Sequence, residues 1–155
     1  MLAWLETSPV GDWVALSLYA YPLLLSLHIV GLAVVVGIFS MRDLRLLGIV
    51  SGLQPSAFLS LSRLAWIGFT LNAISGLLLF TSQATVFASS VPFLTKISCV
   101  TAGMVLAGII QSRLRAESED TRNKDAITGS TRALALASLL LWVSAIIAGR
   151  LIAYL

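Results

Sequence analysis

The stretch Tyr19–Gly48, YAYPLLLSLHIVGLAVVVGIFSMRDLRLLG, decides the fold. Its apolar run is long enough to cross a bilayer, which takes about 20 residues at a rise of about 1.5 Å each. His28, the one histidine of the chain, stands inside the run, and Arg42, Asp43 and Arg45 follow where it ends. A polar side chain that deep in lipid is costly unless it faces protein, ligand or water. The first expectation is therefore a membrane helix whose histidine looks inward.

Three further runs of the same kind follow. The expected spans cover roughly 14–41, 61–81, 92–111 and 133–154, and residues 1–13 form an interfacial segment. Of the 155 residues 58% are hydrophobic and 11% charged, with a mean hydropathy of +0.97. A soluble domain of this size cannot hide so much apolar surface. The expected fold is all-α: an integral-membrane four-helix bundle forming a single domain.

The net charge of +3 matters less than where the charges sit. Basic residues stand at the ends of apolar runs and not on a face interleaved with aromatic residues, so no nucleic-acid partner is expected. Cys99 is the only cysteine, which excludes an intrachain disulfide and a cysteine-based metal cluster. The amino terminus, MLAWLETSPVGDWVALS, lacks the positive region of a cleavable signal. Thr7 or Ser8 before Pro9 suits the start of a helical turn. Pro22 is expected to kink the first span between Leu18 and Pro22.

The spans carry small-residue stripes. Gly68, Asn72 and Gly76 share a face of the second, and Cys99, Gly103, Ala107 and Gln111 follow Lys96 on the third. Asn72 stands at about the depth of His28, and an interhelical hydrogen bond is its expected role. Ser51-Gly52 and Gln54-Pro55-Ser56 mark one turn, and the charged stretch Ser112–Thr131, with Glu117, Glu119, Asp120 and Asp125 beside Arg122 and Lys124, reads as a solvated connector. Arg42, Arg45, Arg63, Arg113, Arg115, Arg122, Lys124 and Arg132 fall beside the two loops that share a side, against Lys96 and Arg150 on the other. The positive-inside rule then puts both loops in the cytoplasm and both termini outside.

His28 leads the residues with chemistry to offer. An imidazole at this depth can ligate heme iron, relay a proton, or hydrogen-bond a neighbouring helix. With one histidine in the chain, a second axial ligand must come from Met104, at similar expected depth, or from His28 of another copy. Lys96 and Arg150 share the outer side, where they either snorkel to the interface or form a cationic pocket for propionates or a headgroup. Arg42, Asp43 and Arg45 read as an anchor at the end of the first span, favoured there by the helix dipole, with Asp43 pairing to an arginine. No phosphate loop or nucleophile elbow is present.

The segments YPLLLSLHIVGLAVVVG, DLRLLG, GLLLF, PFLTKI and AGRLIAYL resemble a family of uncharacterised bacterial four-span inner-membrane proteins, over nearly the whole chain. More distantly, the Leu-His-Ile segment, an arginine at the far end of the first helix and a lysine opening the third are similar to HemJ-type protoporphyrinogen oxidases, and faintly to CopD-type membrane domains. That resemblance implies a heme b, with His28 the heme-side residue, Lys96 the matching lysine, and Arg42 or Arg45 a looser match. The function expected is a heme-b-binding or porphyrin-handling redox protein. The alternative is a non-catalytic accessory subunit of a larger membrane complex. Either way the lipid bilayer is a partner, and a homo-oligomer or membership of a membrane complex is expected.

Overall fold

The computed structural model describes residues 2–52, 57–119 and 129–154, with the side chains of 117–119 left aside. The expected turn at Gln54-Pro55-Ser56 and the charges Asp120, Arg122, Lys124 and Asp125 lie outside the described residues, as do the side chains of Glu117 and Glu119. Among the described residues the chain is all-α. Its helices are α1 (Leu2–Glu6), α2 (Pro9–Leu16), α3 (Ala20–Leu46), α4 (Ala57–Thr81), α5 (Ala84–Ser89), α6 (Val91–Glu119) and α7 (Gly129–Leu151).

Four of them, α3, α4, α6 and α7, are long and apolar enough to cross a bilayer, the mark of a multi-pass membrane protein. They pack as a bundle in which α3 lies on α4 and α7, and α6 on α7, while α4 and α6 meet little. Leucines and isoleucines such as Leu23, Leu27, Ile29 and Ile67 remain on the outside, as expected of surfaces that face lipid.

The first span begins at Ala20, not near Val14. Ser17 interrupts the helix in an extended conformation and its hydroxyl accepts the Ala20 N–H at 3.2 Å, which starts α3 afresh. Pro22 thus falls in the first turn, where no intrahelical donor is required, and the expected kink is a break between two helices instead. Ser8 caps α2 by accepting the Gly11 N–H at 3.1 Å, with Pro9 behind it at the first helical position. At the other end of α3, Gly48 takes a φ of +82° and donates to Arg45 O, closing the helix in the left-handed conformation that glycine adopts freely. The second and fourth spans start about one turn earlier than expected, and α6 runs on past Gln111 to Glu119.

The small-residue stripes hold the bundle together from within. A Cβ on Gly31 would stand 2.8 Å from both Asn72 N and Gly68 O, so the backbones of α3 and α4 touch there. Gly103 lies against the indole of Trp142, which stacks on Phe39 at 5.9 Å. Three levels result. An apolar core of Val35, Phe39, Ala65, Met104, Ala107 and Trp142 occupies the middle. His28 lies on the side of the termini, and Arg42 and Asp43 on the side of the α3–α4 and α6–α7 connections.

Candidate functional site

Antiparallel packing of α3 on α4 sets His28 opposite Asn72, and its ring reaches both α4 and α6. Nδ1 is 2.9 Å from the backbone oxygen of Asn72 and 3.3 Å from Ser75 Oγ, while Nε2 is 3.2 Å from Nζ of Lys96 on α6. A carbonyl only accepts, so Nδ1 carries the proton and donates it to Asn72 O. Nε2 is then the lone pair, and the Lys96 ammonium donates to it. The ring is neutral and its tautomer fixed. Asn72 answers in kind: Nδ2 donates to His28 O at 2.8 Å, the interhelical bond its place in the stripe suggested.

Small residues make the room. A Cβ on Gly76 would come within 2.9 Å of His28 Cε1, and one on Gly149 would come within 3.5 Å of the Lys96 stem. Above the site, one turn beyond Gly76 and one before Lys96, the rings of Phe80, Phe87 and Phe93 stack with centroids 5.4–6.4 Å apart and close the gap between α4 and α6. The helix that carries Phe87 is held from outside by Glu6, whose Oε1 accepts Thr85 N at 2.8 Å and Thr85 Oγ1 at 2.6 Å. Those two bonds hold the Glu6 carboxyl below its usual range.

The other expected site residues fall elsewhere. Met104 sits in the apolar core with Val35 and Phe39, about 12 Å along α6 from Lys96, and is not level with His28. Met104 does stand at mid-depth, but α3 starts at Ala20 and not near Val14, so His28 lies about two turns from the end of its helix and not at the middle. Arg150 is exposed, lies over the Tyr154 ring and donates to its hydroxyl, apart from His28. Ser75, three residues after Asn72, is the site residue the sequence reading passed over, although its place on the same face marked it.

Arg42 and Asp43 are not exposed at a helix end. Both are buried, with Arg42 Nε and Nη2 donating to Asp43 Oδ1 at 2.9 and 2.7 Å and Nη1 donating to Ala107 O at 3.1 Å. Arg45 lies half-buried beside them. Across the same level, Gln111 Nε2 donates to Ser62 Oγ at 2.8 Å, so α3, α4 and α6 are tied here by polar contacts.

Membrane-crossing helices wrapped around a neutral histidine and an adjoining lysine define the class: a small multi-pass membrane protein with a polar site inside its bundle. Within that class the chain belongs to a family of unknown function, DUF6644, whose profile matches residues 1–155. No curated protein and no solved structure matches it.

Proposed function

We propose that the chain is a membrane-embedded redox protein that holds a heme b, or handles a related porphyrin, at His28. The tautomer carries this reading. With its Nδ1 proton given to the Asn72 carbonyl, Nε2 offers an oriented lone pair, and iron-ligating histidines are commonly tied to a backbone carbonyl in the same way. Lys96 fits as well. Among the described residues it has no carboxylate within ion-pair distance, and an ammonium inside a membrane bundle favours an anionic partner.

His28 would hold the iron and Lys96 a propionate, and heme, when bound, supplies one-electron chemistry. Lys96, whose stem lies along Gly149, covers Nε2 and has to swing aside for this. Met104 and Arg150 have no part in the reading. We place the protein in a bacterial inner membrane, with both termini outside and the loops beside Arg45, Arg63, Arg113, Arg115 and Arg132 in the cytoplasm. We also take it to be a homo-oligomer or a subunit of a membrane complex. Gly37 and Gly108 have nothing within 4 Å of a would-be Cβ and leave flat places for a neighbouring helix.

The test is the absorbance of protein expressed with ample heme and purified in mild detergent. A Soret band that is present in the wild type and lost in a folded His28→Ala variant supports the reading. A colourless, folded wild type overturns it and leaves His28 as an interhelical tie in an accessory subunit.

A further inference from the structure

Four buried polar atoms have no hydrogen-bond partner among the described residues: Asp43 Oδ2, Ser138 Oγ, Thr131 Oγ1 and Trp142 Nε1. Asp43, Ser138 and Trp142 are each 0% exposed. Such atoms cost free energy unless something fills their bonding capacity, and inside a membrane bundle bulk water does not reach them. Three of the four stand on the facing surfaces of α3 and α7, within about one turn of one another. Antiparallel packing of α3 on α7 sets Phe39 against Trp142 and, one turn on, brings Ser138 within polar reach of the Asp43 carboxylate, with neither Ser138 Oγ nor Asp43 Oδ2 in hydrogen-bond geometry. Ser138 and Trp142 are one turn apart on the inner face of α7, about 6 Å.

The chemistry of this set selects the ligand. Asp43 Oδ2 accepts only, the indole N–H donates only, and the serine hydroxyl does either. The carboxylate is already neutralised by Arg42, 2.7 Å from its other oxygen, so a cation would leave a net buried charge and an anion would meet Oδ2. A neutral molecule that donates and accepts, and is small enough to fit among fully buried side chains, is required. A cavity of about 10 Å³ on the other side of the pair, bounded in part by Arg42, Ser62 and Gln111, lies between α3, α4 and α6 and is separate from this set.

We propose that the bundle holds ordered internal water between α3 and α7, donating to Asp43 Oδ2, accepting from Trp142 Nε1 and bonding Ser138 Oγ. Asp43 lies about 22 Å along α3 from His28, so this site is independent of any heme there. It turns the Arg42–Asp43 pair from a half-satisfied ion pair into a completed network, and it gives Asp43 a proton-exchange partner inside the membrane.

The experiment uses the ¹⁵N-labelled full chain in detergent micelles. The indole N–H of Trp142 is identified by its loss in Trp142→Phe, or, should that variant not fold, as the one indole shielded from a lipid-soluble relaxation agent, because Trp4, Trp13 and Trp66 are exposed. A cross-peak from this N–H to the water resonance is expected, and it persists in Ser138→Ala, where no hydroxyl can relay exchange. Ser138→Val, which fills the water's place, reduces it to noise. Absence of the cross-peak in the wild type overturns the proposal, as does its loss in Ser138→Ala or its survival unchanged in a folded Ser138→Val.

Discussion

Nζ of Lys96 lies 3.2 Å from Nε2 of His28, so the cation of this level leans on a neutral ring. The opposite end of the bundle is arranged differently, for there Arg42 meets Asp43 directly at 2.7 Å and both are sealed from the surface. One level is charge-balanced and closed. The other carries a cation whose donor is used on a lone pair that other ligands also seek. This asymmetry is what the proposed ligand at His28 rests on, while the Arg42–Asp43 contact ties the bundle together.

Breaking a buried ion pair by removing one charge is expected to cost about 3–5 kcal/mol, because the other charge stays behind unpaired. Asp43→Asn should therefore lower the yield of folded, monodisperse protein sharply. Asp12→Asn, at an exposed position of α2, should leave it unchanged. Size-exclusion profiles of the two variants in the same detergent decide the matter, and equal yields would reduce the cluster to an orientation signal.

The α3–α4 crossing makes a second demand. A methyl group on Gly31 would be driven into the backbone of α4, at Asn72 N and Gly68 O, where no flexible side chain can give way. Gly31→Ala is expected to destabilise the bundle by about 1–3 kcal/mol, the range of overpacking. Gly37→Ala, facing open space, should cost little and can even favour the helix. Thermal unfolding in detergent, with the two variants side by side, gives the difference.

Much of this was legible in the sequence. Run length and hydropathy showed four spans, and a spacing of four put Gly68, Asn72 and Gly76 on one face, where the structure brings Asn72 to His28. The pairing of Lys96 with His28 was not legible, because it joins residues 68 apart through a helix register that no local pattern encodes. The burial of Arg42 and Asp43 was hidden for a related reason. Charges at the end of an apolar run read as interfacial, and only the packing of α6 and α7 over them shows that the bundle continues past the lipid-like stretch. Pro22 misled because its effect depends on whether a helix has already begun.

Glu6 gives a pH prediction. Its carboxyl is held below the usual value by Thr85, so the stabilisation of the α1–α5 contact is fully present above the ordinary carboxyl range. It is lost as pH falls through the lowered value of the folded state. Proteolysis of the α1–α2 segment is expected to speed up over that acidic window, and Thr85→Val should make cleavage faster at neutral pH and flatten the pH dependence. An acid response that survives in Thr85→Val would assign it to another group.

Orientation is tested by reporters. A domain active only outside the cytoplasm is expected to work when fused after Leu155 and to be silent when inserted after Asn123. The positive-inside count rests on Arg45, Arg63, Arg113, Arg115 and Arg132 even after Arg42 is set aside as buried. The reverse pattern of activity would put the His28 level toward the cytoplasm.

The site variants separate ligation from retention. Asn72→Leu removes the Nδ2 bond to His28 O but leaves the backbone carbonyl that holds Nδ1, so the tautomer survives. It is expected to cost about 0.6–2 kcal/mol of stability, the range of interhelical bonds in membranes, and to leave the Soret position unchanged. Lys96→Met keeps the length of the stem along Gly149 and removes the charge. If heme is held as proposed, it should speed the transfer of heme to an excess of an apo-acceptor while leaving the band in place, because the iron would keep His28 and lose only a propionate partner. His28→Ala should remove the band altogether. Heme release from Lys96→Met at the wild-type rate would show that the lysine is there to donate to the ring and not to hold the ligand, even where the Soret band itself supports His28.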